Sequence, residues 1–208
     1  MLPPILFLTL AFHIPDPIYC DLVSINCSFL PKKMKNSLFR KLTGGVAEEK
    51  PLSNNNSSPQ TKYDVFVSFS GKNIRRGFLS HLIDSFERKK INAFVDDRLE
   101  KGEEIWPSLV EAIEGSLVSV VIFSPDYSSS RWCLAELVTI LECKEKYGRR
   151  VIPVFYRVEP MNVRHQLGSY ENAFAKHSSR HKTEVVDNWR HALKKAADLA
   201  GIVSSQFG

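Results

Sequence analysis

The residues best suited to chemistry lie in the stretch Ser130-Arg131-Trp132-Cys133-Leu134-Ala135-Glu136-Leu137. Glu136 follows Trp132 by four residues, about one helical turn, so a carboxylate and a flat aromatic surface would share one side of a helix. Ser128, Ser129 and Ser130 offer hydroxyls that can cap free backbone N–H groups. No Gly or Pro follows until Gly148, so the spacing predicts a long helix. Leu134, Leu137, Val138 and Leu141 form one apolar stripe and leave Trp132, Glu136, Thr139 and Cys143 on the other side. A solvated face is normally rich in Lys and Glu; this one carries a single carboxylate beside a tryptophan and has the composition of a cleft wall. An isolated glutamate is ordinarily a surface residue, so spacing alone leaves both readings open.

Several other chemistries lack their residues. A phosphorylatable receiver needs an Asp at the end of the third strand and an acidic pair after the first, where Ser124 and Ser70 stand. Ser70-Gly71-Lys72-Asn73 does not supply a phosphate-binding P-loop, and one hydroxyl before Gly71 is too few for a flavin phosphate loop. The six histidines are dispersed, and no Ser-His-Asp or Cys-His constellation follows from spacing. His177 and His181, on a polar segment, are expected at the surface. Cys20, Cys27, Cys133 and Cys143 have no metal-ligand spacing. They are expected as reduced thiols, with no metal, in a cytoplasmic setting.

The elements that must position Glu136 alternate between strand and helix. Tyr63–Phe69 is short and rich in β-formers. Phe78, Leu79, Leu82, Ile83 and Phe86 then mark a helical face that runs to about Lys89, and Ile91–Val95 is a second strand. A charged loop spans 96–102. Ile105, Trp106, Leu109, Val110 and Ile113 face one way on the next helix, with Pro107 in its first turn and Gly115 at its end. Leu117–Phe123 is the continuous apolar run of a central strand. Val151–Tyr156 is a fourth strand, and its Pro153 predicts a position toward an edge. After Pro160 and a turn containing Gly168, a short helix is predicted over Tyr170–His177. A last helix runs from about Glu184 to Ala200, packs through Trp189, Leu193, Ala196 and Ala197, and is capped by Gly201. This alternation predicts an α/β fold with a doubly wound parallel sheet. Such sheets gather their sites at the C-terminal strand ends, where Ser70-Gly71, the 96–102 loop and the 124–132 turn would approach Glu136.

Composition sets the frame. With 208 residues, 43% of them hydrophobic and 25% charged, the chain fits one folded domain with appendages. A net charge of +5 invites an anionic partner, yet residues 62–208 hold 22 basic and 19 acidic side chains. Arg75-Arg76, Lys89-Lys90 and Arg149-Arg150 are scattered pairs, so no dedicated nucleic-acid site is expected. Leu2–Phe12 is apolar but too short for a transmembrane span and is interrupted by Pro3 and Pro4. It lacks the basic start and cleavage site of a signal peptide, and is expected to be an extension upstream of a start at Met34. Lys50–Lys62 has little to bury. The expected division is a disordered leader with an apolar N-terminal run over 1–61, a folded domain over 62–203 and a tail over 204–208.

The string Ser130–Leu137 resembles the signature helix of plant TIR domains, the Toll, interleukin receptor and resistance family. Tyr63–Phe69 resembles that family's first strand, Ser80-His81-Leu82 its first helix, and Phe94-Val95-Asp96-Asp97 with Gly102 its second strand and flexible BB loop. Val151–Tyr156 is similar to the fourth strand, and Trp189-Arg190 with Ala192-Leu193 to the helix that follows. Over about Lys62–Gly201 the resemblance implies a flavodoxin-like sheet of four to five strands. The family pattern continues into a fifth strand and a final helix, so the domain is expected to be C-terminally truncated. An activity in plant immune signalling is implied as well: cleavage of NAD to nicotinamide and ADP-ribose-type products, with NAD as substrate, no cofactor, and Glu136 as the catalytic residue. One carboxylate suits that reaction, because nicotinamide leaves a cationic pyridinium as a neutral amide. What needs help is the developing oxocarbenium, through a nearby anion and hydrogen bonds to ribose hydroxyls.

The resemblance further implies that Trp132, Arg75, Gly71 and Ser70 meet the substrate. It implies self-association with other TIR domains through Ser80 and His81 on the first helix and Lys101 and Gly102 in the BB loop. One segment departs from the pattern: Ser70 stands where the family usually carries arginine, in a run like F-R-G-E-D, and Lys72 replaces an acid. The alternative is a catalytically silent TIR adaptor acting by homotypic protein–protein interaction. Glu136 with Trp132 favours the enzyme, and the altered 70–73 segment favours the adaptor.

Overall fold

The computed structural model describes residues 59–71, 74–95 and 106–204. Most of the expected leader, Lys72, the 96–105 loop with Lys101 and Gly102, and residues 205–208 lie outside the described residues. Five strands, β1 (Tyr63–Phe69), β2 (Ala93–Val95), β3 (Ser116–Phe123), β4 (Arg150–Phe155) and β5 (Ile202–Val203), form one parallel sheet in the order β2-β1-β3-β4-β5. A π-helical turn, Arg75–Leu79, runs into helix α1 (Ser80–Arg88), and α2 (Trp106–Glu114) leads into β3. A 3-10 turn, Tyr127–Ser129, precedes α3 (Arg131–Tyr147), and α4 (Pro160–His165), α5 (Ser169–Ser178) and α6 (Thr183–Ala197) follow β4. The expected α/β doubly wound parallel sheet is the observed one.

Alternation along the strands divides the core in two. Val65, Val67 and Phe69 of β1 and Val118, Val120 and Ile122 of β3 pack with Phe78 from the π-helical turn and Leu82 and Phe86 from α1. Phe66 of β1 and Val121 and Phe123 of β3 face the other way, into a cluster with Leu109, Leu134, Leu137 and Trp189. Ser68 shares the parity of Phe66, so its hydroxyl points toward α3. The remaining expected positions of strands and helices recur within a few residues, and no helix among the described residues is long and apolar enough to cross a membrane.

Four expectations change. Pro153 is not at an edge, since β4 lies between β3 and β5. The Tyr156 N–H donates to Phe123 O on β3, so alternation turns the Pro153 nitrogen toward β5. The ladder on that side starts only opposite Val154, and no bond is lost. Gly201 is not a helix cap, because α6 closes at Asp198 in ordinary right-handed backbone. Gly201 is instead where the chain comes against β4: a Cβ there would fall 2.6 Å from Pro153 O. Helix α4 was not expected; Pro160 starts it and Val163, fully buried, anchors it. His177 is no surface residue. It is 8% exposed, its Nε2 lies 2.8 Å from Ser128 O, and its ring meets Phe174 and Trp189 edge to face. The carbonyl can only accept, so this nitrogen carries the proton.

Candidate active site

Helix α3 forms as its sequence suggests. Of the three serines before it, Ser130 is the cap, accepting from the Cys133 N–H at 3.3 Å. Ser128 is fully buried, and its hydroxyl finds no partner among the described residues. Gly148 ends the helix at φ 65°, the left-handed conformation glycine adopts without penalty. Burial wraps further round α3 than one stripe: Cys133, Leu134, Glu136, Leu137, Ile140, Leu141 and Cys143 are all buried.

Glu136 is only 4% exposed, which rejects the ordinary surface glutamate. A carboxylate taken from water must be hydrogen-bonded to be tolerated, and Ser68 Oγ on β1 donates to its Oε2 at 2.7 Å. Ser68 Oγ is in turn 2.9 Å from the Tyr127 hydroxyl, which reaches the Cys133 carbonyl at 3.0 Å. Burial pushes the Tyr127 phenol well above its ordinary range, and the neighbouring Cys133 and Glu136 add to the shift. The Cys133 thiol donates to Phe69 O at 3.2 Å. The Tyr170 hydroxyl, raised mainly by burial, donates to Ser124 O at 2.9 Å. Backbone and side chains of β1, β3, the 3-10 turn and α3 are thus tied together at the C-terminal end of the sheet.

The other expected site residues fall into two groups. Trp132 is half-buried on the first turn of α3, one turn before Glu136, with its ring centroid 5.9 Å from that of Trp106. Ser70 and Gly71 leave the end of β1. The Ser70 carbonyl accepts from Ser124 Oγ at 3.3 Å. Gly71 has φ +103°, and a Cβ on it would lie 3.3 Å from Asp126 Oδ2. Arg75 stacks its guanidinium over the Phe69 ring at 5.1 Å. Phe69 belongs to the α1 side and Ser68 to the α3 side, so Arg75 and Glu136 flank opposite faces of one strand end. Ser80 and His81 lie on α1, away from this group: Ser80 Oγ donates to Gly77 O at 2.8 Å, and His81 is exposed. Lys101 and Gly102 are outside the described residues.

Sequence reasoning passed over Ser68, Tyr127 and Trp106 as site residues. A signal was present for Ser68, a hydroxyl in a strand of Val and Phe with the parity of Phe66. Tyr127 and Trp106 carry no such mark, because an aromatic beside a turn or in a helix is ordinarily core. Among the described residues no group of His, Cys, Asp and Glu could hold a metal ion.

A parallel five-stranded α/β sheet, with a buried carboxylate on the helix that follows its central strand, has close counterparts among known proteins. The family model of the TIR domain matches residues 62–207, and the chain belongs to that family. It is 48% identical over 141 residues to the disease resistance protein RPV1 of Vitis rotundifolia, a match covering 68% of this chain and 10% of that one. The TMV resistance protein N of Nicotiana glutinosa is 45% identical over 153 residues, 72% of this chain and 13% of its own length. The chain therefore spans about an eighth of the curated relatives it matches. Among solved structures, the TIR domains of the activated Roq1 resistosome, which directly recognizes the pathogen effector XopQ, superpose with a TM-score of 0.63 at 43% identity. That match covers 68% of this chain and 87% of the other.

Proposed function

We propose that this TIR domain cleaves NAD to nicotinamide and an ADP-ribose-type product, as a signalling step in plant immunity. The observation that carries this is Glu136, a carboxylate 4% exposed that accepts from Ser68 at 2.7 Å, one turn from a half-buried tryptophan. Buried ionisable groups with specific partners, at the carboxyl end of a parallel sheet, concentrate at functional sites. In the reaction the C1′–N bond breaks with its electron pair passing to the pyridinium nitrogen. Nicotinamide leaves neutral and needs no general acid. The ribose becomes oxocarbenium-like, and the Glu136 anion stabilises it directly or through the ribose hydroxyls. Water then adds at C1′ and releases a proton. Trp132 would lie against the ribose or a base, while Ser70, Gly71 and Arg75 would border the phosphates.

Relatives named for disease resistance support the immune role, and the resistosome that contains TIR domains supports assembly with other TIR domains. For that assembly Ser80, His81, Lys101 and Gly102 are the proposed contacts. Cys133 and Cys143, neither of them in a disulfide, suit a reducing cytoplasm. The deciding experiment is incubation with NAD and detection of nicotinamide, with Glu136→Gln as control. Release by the parent and loss in the variant is expected; equal release by both removes Glu136 from its role.

The second reading is a silent adaptor. Ser70, where the family usually carries a cation, favours it. Homotypic binding with no nicotinamide release at any concentration would select it.

A further inference from the structure

Glu136 Oε2, Ser68 Oγ, the Tyr127 hydroxyl and Cys133 O stand in a row joined by contacts of 2.7, 2.9 and 3.0 Å. Every member is buried: Ser68 is 1% exposed, Tyr127 0%, Cys133 5% and Glu136 4%. Each contact needs one proton, the carbonyl can only accept, and the two hydroxyls supply only two. With Glu136 ionised, Ser68 gives its proton to the carboxylate and one contact must go without. The Cys133 carbonyl is already served by the helix ladder, so it is the one that can be spared. The Tyr127 proton then turns to Ser68, and both hydroxyls point toward the anion. With Glu136 protonated the row reverses, from Glu136 to Ser68 to Tyr127 to Cys133 O, and all three contacts are filled.

We propose that Ser68 and Tyr127 are positioning residues: a reversible hydroxyl relay that holds Glu136 and sets the pH at which it ionises. Its catalytic consequence rests on the NAD-cleaving function proposed above. Among the described residues, the titratable and charged groups near the relay include Asp126, which precedes Tyr127 and acts on Tyr170. Tyr127 is kept protonated by its burial. The Cys133 thiol, on the helix of Glu136, is turned to Phe69 O. Tyr170 from α5 is turned to Ser124 O, and Arg75 lies over Phe69 on the other side of β1.

A hydrogen bond to the charged form of a carboxyl group favours ionisation, and its loss raises the pH required. The test is a 13C-carboxyl NMR titration of the glutamate-labelled parent, Ser68→Ala and Tyr127→Phe, with the Glu136 resonance assigned by its absence in Glu136→Gln. Nicotinamide release is measured over the same pH range. Ser68→Ala is expected to move the Glu136 midpoint up by about 1–2 pH units and lower kcat about 10- to 100-fold, with KM within about twofold. Tyr127→Phe, which keeps the ring, removes two filled contacts from the protonated row and one from the ionised row, so it moves the midpoint down and by less, and it carries the test alone if Ser68→Ala does not fold. Midpoints that stay at the parent value in the folded variants overturn the relay. The titration needs no turnover, so a parent that releases no nicotinamide removes the proposed reaction while the midpoints still decide the relay.

Discussion

Trp106, the first residue of α2, and Trp132, in the first turn of α3, meet with their ring centroids 5.9 Å apart and their planes inclined by 42°. The Arg131 guanidinium lies 5.2 Å from the Trp132 ring centroid, so this indole is held between a cation and another indole. Two indoles this close couple optically, and replacing either by phenylalanine should abolish a far-ultraviolet circular dichroism couplet. If Trp132 lies against the substrate, Trp132→Ala raises KM for NAD about tenfold, the scale of one stacked base. An unchanged KM in the folded variant would confine Trp132 to packing.

Two glycines should resist alanine for different reasons. At Gly71 the obstacle is the backbone, at φ +103°, and Gly71→Ala is expected to cost about 1–3 kcal/mol. At Gly201 it is space, since the new methyl would meet Pro153 O at 2.6 Å and Pro153 Cγ at 2.7 Å; overpacking costs about 1–3 kcal/mol. Thermal melts and hydrogen exchange separate the two. Gly201→Ala should loosen the β4–β5 pairing in particular, and unaltered protection at Ile202, whose amide faces Pro153 O, would contradict the close approach.

Cys143 gives the pH dependence. Burial, with Glu114 adding, pushes its thiol from 9.0 up to about 11. The unfolded chain therefore sheds this proton first as pH rises. The stabilisation from keeping the thiol protonated is intact below about pH 9 and is lost on the way to about pH 11. Denaturant midpoints of the parent should fall across that window more steeply than those of Cys143→Ala, in which the tyrosine and lysine titrations are unchanged. Parallel curves would show that the thiol is not shifted.

Ser70→Arg should raise kcat/KM for NAD. Ser70 sits half-buried at the mouth of β1, where a guanidinium would offer a planar fork to a phosphate or ribose. A charge-assisted bond contributes about 1.5–3 kcal/mol, which corresponds to about 10- to 150-fold. A folded variant that cleaves NAD no faster would leave Ser70 remote from the substrate or favour the adaptor.

Nicotinamide release should rise faster than linearly with protein concentration, if one TIR domain completes the site of another. His81 is exposed on α1, so His81→Ala should flatten the curve without lowering the melting temperature. Strictly linear scaling in the parent would count against assembly as the trigger.

The order of strands and helices was legible because each strand is a dense apolar run and each helix carries a periodic face. Glu136 was only half legible: the side of α3 opposite its leucines lacks the charges that water demands, but spacing left a surface glutamate open, and the family resemblance, not the local pattern, set it in a site. What escaped depended on contacts between distant residues. Nothing local shows that Ser128 O, 49 residues away, turns His177 inward. Pro153 suggested an edge, because its sequence does not reveal on which side β5 begins. Gly201 follows a helix and so looks like its cap; only the packed sheet gives it another task.

The parity of β1 also bears on how the chain finds its fold. Ser68 is flanked by Val67 and Phe69, so a strand docked one residue out of place would set an aliphatic or aromatic side chain against Glu136. The carboxylate would then lose the hydroxyl that donates to it, at a cost of about 1–3 kcal/mol. Correct pairing is the arrangement in which that charge meets a hydroxyl, so the group proposed for chemistry also discriminates against misaligned intermediates. A neutral residue at 136 would relax this check, and Glu136 variants should be judged for misfolding as well as for turnover.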